Sequence, residues 1–300
     1  MDVVVSGSSG LIGSALCQAL EAAGHHPVRL VRSDTAGPEE VRWDPTSEHV
    51  EAAALEGIDV VVHLAGEPLL GRWTAAKKRR IRDSRVEGTH LLAGTLAGLQ
   101  RPPRALLSGS GIGYYGADHG DELLPEDTPP GDDFLARVCK GWEAATQPAE
   151  EAGIRVVRLR TAPVLSPDGD LLRLQLPFFR LGLGGKLGSG QHWFSWISLE
   201  DHVRAQLHLL EHPVAAGPVN ITAPTPVRNA EFARTLGRVL GRPVLLTVPT
   251  LAVATLFGRD FADVMATASQ RAIPKRLLDE FGFAFRHQTV EEALRAELQT

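Results

Sequence analysis

The hydrophobic positions in the first half of the chain alternate between short apolar runs and longer stretches with helical periodicity. The runs at 3–6, 59–66 and 104–111 are rich in valine and leucine, which is typical of strands buried on both faces. The stretches at 14–24 and 74–99 carry apolar residues at helical spacing. This alternation predicts an α/β fold, a Rossmann-type doubly wound parallel sheet covered by helices on both faces.

The pattern changes after residue 165, where glycines, aromatic residues and scattered cations replace the regular alternation. Further along, residues 199–211 have the pattern of a helix and 217–222 that of a strand. We therefore predict that residues 1–165 form one domain around the parallel sheet. Residues 166–300 are expected to form a smaller C-terminal lobe on the substrate side, part of which returns to the Rossmann sheet.

Composition excludes several classes of protein. The net charge of −5 argues against a nucleic-acid partner, which usually needs a basic face. The apolar runs are interrupted before they reach the length of a membrane helix, and the N-terminus has no charged leader typical of a signal peptide. Cys17 and Cys139 lie on predicted helices, which fits a reducing compartment, and the histidine spacing matches no metal motif. We expect a cytoplasmic protein that acts on a small molecule.

The segment SGSSGLIG, residues 6–13, lies directly after an apolar strand and directly before a helix. Its glycines suit a tight turn, the approach of the backbone to a diphosphate, and close packing of the helix on the strand. The diphosphate would lie at the helix N-terminus, where main-chain amides are free to donate. A plain strand–helix turn is the weaker alternative. The residues predicted to contact a dinucleotide here are Gly7, Ser9, Gly10, Leu11, Ile12 and Gly13.

The end of the second strand selects the dinucleotide. An NAD site normally has a carboxylate at this point, which accepts from the ribose 2′-hydroxyl. Here the strand ends with Arg32 and Ser33, and a guanidinium suits a 2′-phosphate far better than a hydroxyl. We therefore predict NADP(H), bound by Arg32 with help from Ser33, although Asp34 leaves NAD as an alternative.

The end of the strand at 59–66 supplies a third part of the predicted cofactor site. Leu64, Ala65 and Gly66 end this strand with mostly small side chains, which allow the backbone to approach a dinucleotide. Arg85, on the helix that follows, has two interpretations of equal weight. It either contacts the phosphate or ribose of the cofactor, or lies on the helix surface.

These segments, taken together, resemble the extended short-chain dehydrogenase/reductase superfamily over essentially the whole chain. The similarity points to an atypical subgroup, the epimerase family or NAD-dependent epimerase/dehydratase-like proteins, which carries a characteristic C-terminal segment. The residues that carry the resemblance are RWDP (42–45), HLAG (63–66), DSRVEGT (83–89), SGSGIGYYG (108–116), PPGDDFLARVCKGWE (129–143), RLGLGGKLGSGQHWFSWI (180–197) and VNITAPTPVRNAEF (219–232).

The resemblance implies a serine that binds the substrate oxygen, a tyrosine that moves the proton, and a lysine one turn later that lowers the pKa of the tyrosine and holds the nicotinamide ribose. Ser110 matches the serine. With Glu143 matched to an acidic position of the relatives, Leu135 falls at the tyrosine and Cys139 at the lysine. Lys140 is one residue off, about 100° around the helix. The sequence therefore predicts a helix without the proton-transfer pair.

The chain has only two tyrosines, Tyr114 and Tyr115, and both follow Ser110 in the same turn. We predict Ser110 and Tyr115 as the catalytic residues, with Tyr115 entering the cleft from the loop. In relatives a tyrosine of this loop more often lines the substrate pocket, which is the role predicted for Tyr114.

The substrate side is predicted from the segment 180–197, which resembles the loop over the substrate in sugar-nucleotide epimerases. Arg180 and Lys186 offer charge and Trp193 offers stacking for an anionic or aromatic ligand. Pro163 and Val164 end the sixth strand, where relatives pass their main chain along the nicotinamide ring.

Two functions follow from these residues. The first is an NADP(H)-dependent oxidoreductase or epimerase that transfers hydride on a small hydroxy or keto compound or a nucleotide-linked substrate. The second is a non-catalytic NADP(H)-binding sensor or regulatory protein that has lost the Tyr–Lys pair. The resemblance also implies a homodimer, since pairing through helices is common in relatives.

Overall fold

The fold is built on strands that coincide with the valine-rich runs of the sequence. The structure, a computed structural model, describes residues 1–33, 37 and 39–299. The strands are β1 (Asp2–Ser6), β2 (His26–Val31), β3 (Glu40–Asp44), β4 (His49–Val50), β5 (Val60–His63), β6 (Ala105–Gly111), β7 (Asp118–Leu124), β8 (Arg155–Thr161), β9 (Val164–Leu165), β10 (Gly185–Leu187), β11 (Trp193–Phe194), β12 (Ile197–Ser198), β13 (Gly217–Ile221), β14 (Val227–Arg228), β15 (Leu246–Val248) and β16 (Ser269–Ala272). The helices are α1 (Leu11–Ala22), α2 (Ala75–Ala97), α3 (Phe134–Ala144), α4 (Gln147–Glu151), α5 (Asp170–Arg180), α6 (Leu199–Glu211), α7 (Asn229–Val239), α8 (Thr250–Phe257), α9 (Arg259–Phe261), α10 (Lys275–Asp279) and α11 (Val290–Leu298).

The central sheet has the order β13-β8-β6-β5-β1-β2-β3-β4. All neighbouring strands are parallel except β3 and β4. The chain adds β2 and β3 on one side of β1 and then crosses over to β5 on the other side. The strand order therefore reverses at β1, which opens a crevice at the carboxyl ends of β1 and β5. The predicted doubly wound α/β fold is confirmed.

The two faces of the sheet bury alternate residues of the same strand. Val3 and Val5 of β1 pack against Leu16 of α1 in one core, which also contains α6. Val4 packs on the opposite face in a second core with Leu92 of α2. Because side chains alternate along a strand, an uninterrupted run of valines requires cover on both faces.

The C-terminal half contributes to the same sheet. Strand β13 pairs with β8, and Val203 and Leu209 of α6 pack in the core that contains α1. A separate core forms around Trp196 and Phe232, where α5, α7 and α11 meet. The division of the chain near residue 165 stays a prediction, because residues on both sides share the central sheet. No helix in the described ranges combines the length and the apolar character needed to cross a membrane.

Candidate active site at the carboxyl ends of the strands

The glycine loop lies in close contact with the end of β5. Gly7 has φ of +67°, and a Cβ atom on it would lie 2.9 Å from the amide nitrogen of Ala65. A Cβ atom on Gly13 would lie 2.2 Å from the carbonyl oxygen of Gly7. Neither position has room for a side chain, so the first turn of α1 and the end of β5 stay close to the loop.

The N-terminus of α1 offers main-chain donors to the crevice. The helix begins at Leu11, and Gly10 before it is oriented by a hydrogen bond from its amide to the Gly7 carbonyl, 3.0 Å. No side chain of the described residues caps this helix. The amides of Leu11 and Ile12, beside the exposed Ser9, therefore suit an anion at the positive end of the helix dipole.

A buried serine–histidine pair fixes the end of β5, and the sequence reasoning missed it. The Ser6 hydroxyl accepts hydrogen bonds from the amides of Leu64 (3.1 Å) and Ala65 (3.2 Å) and lies 2.6 Å from Nδ1 of His63. Its own proton is thus directed to His63, whose ring is neutral because burial lowers its pKa to about 4. The sequence offered one signal for this pair, because each of two apolar runs, 3–6 and 60–63, ends with a polar residue.

Arg85 closes the same end of β5 from α2. Its Nη1 donates to the carbonyls of Glu67 (2.9 Å) and Ile81 (3.2 Å), and its guanidinium lies 5.0 Å above the ring of Trp142. A Cβ atom on Gly66 would lie 3.2 Å from Cζ of Arg85. Burial lowers the pKa of this guanidinium. Arg85 is half-buried beneath the loop at Gly66, so a position on the open helix surface is wrong.

The end of β2 presents two exposed polar residues, Arg32 and Ser33, next to the glycine loop. Asp34, the alternative partner of a ribose, lies outside the described residues. A second arginine of the strand, Arg29, extends its Nη1 to the carbonyl of Ser8, 3.4 Å, and was not anticipated. Positive charge therefore lies beside the loop on its β2 side.

At the end of β6, Ser110 belongs to a buried ionic cluster. Its hydroxyl donates to Oε1 of Glu143, 2.8 Å, and Arg160 of β8 forms two bonds to the same carboxylate, 2.7 and 2.9 Å. All three residues are buried. This ion pair, which sequence reasoning also missed, satisfies the carboxylate, and the carboxylate takes the hydroxyl proton of Ser110.

Tyr115 is part of the same cluster, and its position contradicts the predicted proton transfer. The side chain has no exposed surface, and its hydroxyl donates to Oδ1 of Asn220, 2.7 Å, and accepts from Arg160, 3.2 Å. Burial raises its pKa to about 12. The short turn at 112–115 directs the side chain into the core, where Asn220 accepts the hydrogen bond of its hydroxyl. Tyr115 therefore has a structural role.

Helix α3 begins directly after a capping aspartate. Asp133 caps it, with Oδ1 accepting from the amide of Ala136, 2.9 Å. A Cβ atom on Gly113 would lie 3.2 Å from Cβ of Leu135 and 3.8 Å from Sγ of Cys139, so both residues face the turn that follows Ser110. Burial raises the pKa of Cys139 to about 12, and the thiol stays protonated. Helix α3 thus brings neither a tyrosine nor a lysine to this turn.

The loop after β8 meets the glycine loop. A Cβ atom on Gly169 would lie 3.2 Å from Cδ2 of Leu11 and 3.5 Å from the carbonyl of Val164. The carbonyl of Pro163 accepts from the amide of Ile197, 3.1 Å, which holds this segment in place. Pro163 and Val164 thus lie on the side of the crevice opposite β2.

The predicted substrate residues are dispersed. Tyr114 is half-buried with its ring 3.5 Å from the guanidinium of Arg160. Lys186 donates to the carbonyl of Ser189, 3.1 Å, and Arg180 is exposed at the end of α5. Trp193 has partners of its own. Its Nε1 donates to the carboxylate of Asp121, and the guanidiniums of Arg228 and Arg271 lie 4.0 and 4.2 Å from the centroid of its ring. Within the described ranges, no hydrogen bond, ion pair or ring contact joins Arg180, Lys186 or Trp193 to Ser110, and no group of three or more His, Cys, Asp or Glu side chains is placed to hold a metal.

Comparison with known proteins identifies the relatives of this chain. Residues 3–222 match the model of the NAD dependent epimerase/dehydratase family, and residues 248–297 match a domain of unknown function, DUF1731. Epimerase family protein Mb2239 of Mycobacterium bovis is 46% identical over 293 residues, which is 97% of this chain and 96% of the relative.

Two solved structures resemble the structure of this chain over its whole length. Human epimerase family protein SDR39U1 (isoform 2), crystallised with NADPH, has a TM-score of 0.91 at 36% identity, over 100% of this chain and 99% of the human chain. UDP-glucose 4-epimerase of Thermotoga maritima, solved with UDP-glucose, has a TM-score of 0.77 at 17% identity, over 100% and 98%. The second likeness concerns the fold alone.

Proposed function

Because this chain belongs to the NAD dependent epimerase/dehydratase family, we propose that it binds NADP(H) and transfers hydride between the nicotinamide and a small hydroxy or keto compound. The observation that carries the proposal is the uncapped N-terminus of α1, which faces the crevice behind a loop that admits only glycine at Gly7 and Gly13. A diphosphate satisfies the main-chain donors there without a side chain.

The preference for NADP(H) has two supports. Arg32 and Ser33 are exposed beside the glycine loop, where a 2′-phosphate would accept from the guanidinium. The human relative that covers the whole chain was crystallised with NADPH. Both observations favour the phosphorylated dinucleotide over NAD.

The residues around Ser110 define what the protein itself contributes to the reaction. Bound NADPH supplies the hydride from its nicotinamide ring. Ser110 is held by Glu143 so that its hydroxyl proton points to the carboxylate and its oxygen remains able to accept. A substrate hydroxyl can therefore donate to Ser110, which orients the carbon that exchanges hydride. The proton moves by way of water or the substrate, because Tyr115 is buried.

The substrate is a small hydroxy or keto compound, with a nucleotide-linked sugar as the larger form of the same chemistry. The fold relative from Thermotoga maritima carries UDP-glucose in its structure. Both forms present a carbinol or carbonyl carbon, which is the group that hydride transfer requires.

A second candidate function is NADP(H) binding without turnover, as in a sensor of the redox state. The observation that favours it is the apolar character of α3 beside the turn at 110–113, where Leu135 and the protonated thiol of Cys139 lie. Beside this thiol, the helix brings Glu143 to Ser110, and that carboxylate is already paired with Arg160.

One experiment separates the two functions. The purified protein is denatured and its released nucleotide is identified. NADPH oxidation is then followed at about 340 nm with a panel of aldehydes, ketones and keto acids. We expect NADP(H) to be recovered and at least one carbonyl compound to be reduced. Tight NADPH binding without turnover on any compound would establish the sensor, and preferential NAD binding would contradict the role of Arg32.

A further inference from the structure

Arg85 of α2 extends its guanidinium towards α3. Its guanidinium lies against Gly66 at the end of β5 and stacks on Trp142 of α3, the helix that also carries Cys139. Cys139 in turn faces the turn that follows Ser110. Arg85 thus lies between two strand ends, those of β5 and β6, on the opposite side of β1 from Arg32.

Only one of its three nitrogen atoms is engaged. Nη1 holds the carbonyls of Glu67 and Ile81, whereas Nε and Nη2 donate to no group in the described part of the chain. Neither atom belongs to the buried nitrogens and oxygens without a partner, so both remain accessible. A guanidinium fixed by one nitrogen and by a stacked ring presents its remaining donors in a constant direction.

The strand order assigns Arg85 to one end of the bound dinucleotide. In the proposed binding mode the 2′-phosphate would lie at the end of β2 with Arg32, and the diphosphate at the end of β1 on the amides of Leu11 and Ile12. The nicotinamide half would then continue over β5 and β6, each strand adding about 4.8 Å. This half would pass the accessible donors of Arg85 at the end of β5.

We propose that Arg85 binds the ribose hydroxyls of the nicotinamide half and provides, from α2, the fixed positive charge that α3 lacks at Leu135 and Cys139. The inference rests on the proposed binding of NADP(H). It explains why α2 carries an arginine here with two accessible donors beneath a glycine, because any side chain at Gly66 would displace the guanidinium. Arg85 is a cofactor-binding residue and leaves the adenosine half untouched.

The test compares two ligands on the full chain. Binding of NADPH and of adenosine 2′,5′-bisphosphate, which represents only the adenosine half, is measured by calorimetry for the wild type, Arg85→Gln and Arg82→Gln. Arg82 lies exposed on the same helix and is the matched control. We expect Arg85→Gln to weaken NADPH roughly ten- to a hundred-fold and the bisphosphate less than about twofold. Arg82→Gln should change neither.

The outcomes are distinguishable. An Arg85→Gln variant that binds NADPH as tightly as the wild type, or that loses both ligands equally, overturns the inference. A wild type that binds neither ligand shows instead that the proposed function fails. Unaltered bisphosphate binding reports that the variant is folded.

Two further variants test the charge itself. Adding Cys139→Lys to Arg85→Gln returns a cation to the same place from α3, and it should recover most of the lost NADPH affinity. Arg85→Lys, which keeps the charge without the forked geometry, should lose less than about fivefold. A loss in Arg85→Lys as large as that in Arg85→Gln, without recovery by Cys139→Lys, contradicts the proposal even where Arg85→Gln is unstable.

Discussion

The two ends of the crevice are held by different kinds of interaction. At the glycine loop the geometry is set by the backbone: Gly7 and Gly13 contact main-chain atoms directly, and the donors are amides of α1. At the end of β6 the geometry is set by buried side chains, in which Ser110, Glu143 and Arg160 satisfy one another. The first end offers main-chain donors to a ligand, whereas at the second end the hydroxyl proton of Ser110 is already donated within the protein.

This difference explains why the family's cofactor end is easy to recognise and its catalytic end is not. A glycine is required wherever a Cβ atom would meet the backbone, so the loop retains its spacing as long as it binds a diphosphate. A proton-transfer pair consists of two side chains, and at the positions where the resemblance expects them α3 carries Leu135 and Cys139 in an intact helix. The helix thus forms without a tyrosine or a lysine at these positions.

The largest expected effect is the loss of the buried ion pair. Glu143→Gln leaves the guanidinium of Arg160 without its counter-charge in the core. We expect the free energy of unfolding, measured by urea denaturation, to fall by about 3–5 kcal/mol. Glu143→Gln combined with Arg160→Met should recover part of this loss. Equal stability of the single variant and the wild type would mean that side-chain charge does not hold the Ser110 end together.

The next effect concerns the backbone-defined end. In Gly13→Ala the new methyl group would overlap the Gly7 carbonyl, so the loop must move from the helix and NADPH affinity should fall roughly a hundredfold or more. The control is Gly94→Ala on α2, which meets no atom within 4 Å and should stabilise the helix by about 0.5–1 kcal/mol. Fluorescence titration with NADPH measures the affinity of both variants, and urea denaturation measures the stability of Gly94→Ala. A Gly13→Ala protein with normal affinity would show that the dinucleotide binds elsewhere.

A smaller and more selective effect is expected at the end of β2. Arg32→Gln removes the charge that faces the 2′-phosphate, so NADPH affinity should decrease roughly ten- to a hundred-fold while NADH affinity stays the same. The ratio of the two dissociation constants, determined on the same preparation, is the measurement. An equal loss for both dinucleotides would assign Arg32 to the diphosphate or to folding.

The smallest effect is predicted for Tyr115→Phe. Removing the hydroxyl leaves Asn220 without its donor and should lower the free energy of unfolding by about 1–2 kcal/mol, with no change in NADPH binding. The raised pKa, about 12 against about 10 in the unfolded chain, adds a pH dependence. This contribution is complete below pH 10 and disappears towards pH 12, and the variant should lack it. Loss of turnover with full stability would return Tyr115 to the reaction.

Much of the architecture was determined by the sequence itself. Runs such as Val3–Val5 specify a strand buried on both faces, and the glycine spacing with its neighbouring strand and helix specifies the loop. The helical period also places Leu135 and Cys139 on one face of α3, whereas only the resemblance, matched at Glu143, assigns them to the positions of the proton-transfer pair. These are local properties, in which residues close in sequence decide the outcome.

The roles of the polar residues were decided only by the tertiary structure. Tyr115 lies five residues after Ser110, yet its hydroxyl is satisfied by Asn220, 105 residues away, and this removes it from the cleft. Arg85 and Trp142 are 57 positions apart and come into contact only when α2 and α3 pack on one face of the sheet. A buried polar atom takes whichever partner the fold provides, since leaving it unpaired costs more than any local preference. The sequence therefore determined the framework of this protein, and the three-dimensional arrangement of distant side chains decided which of its polar groups are left for a ligand.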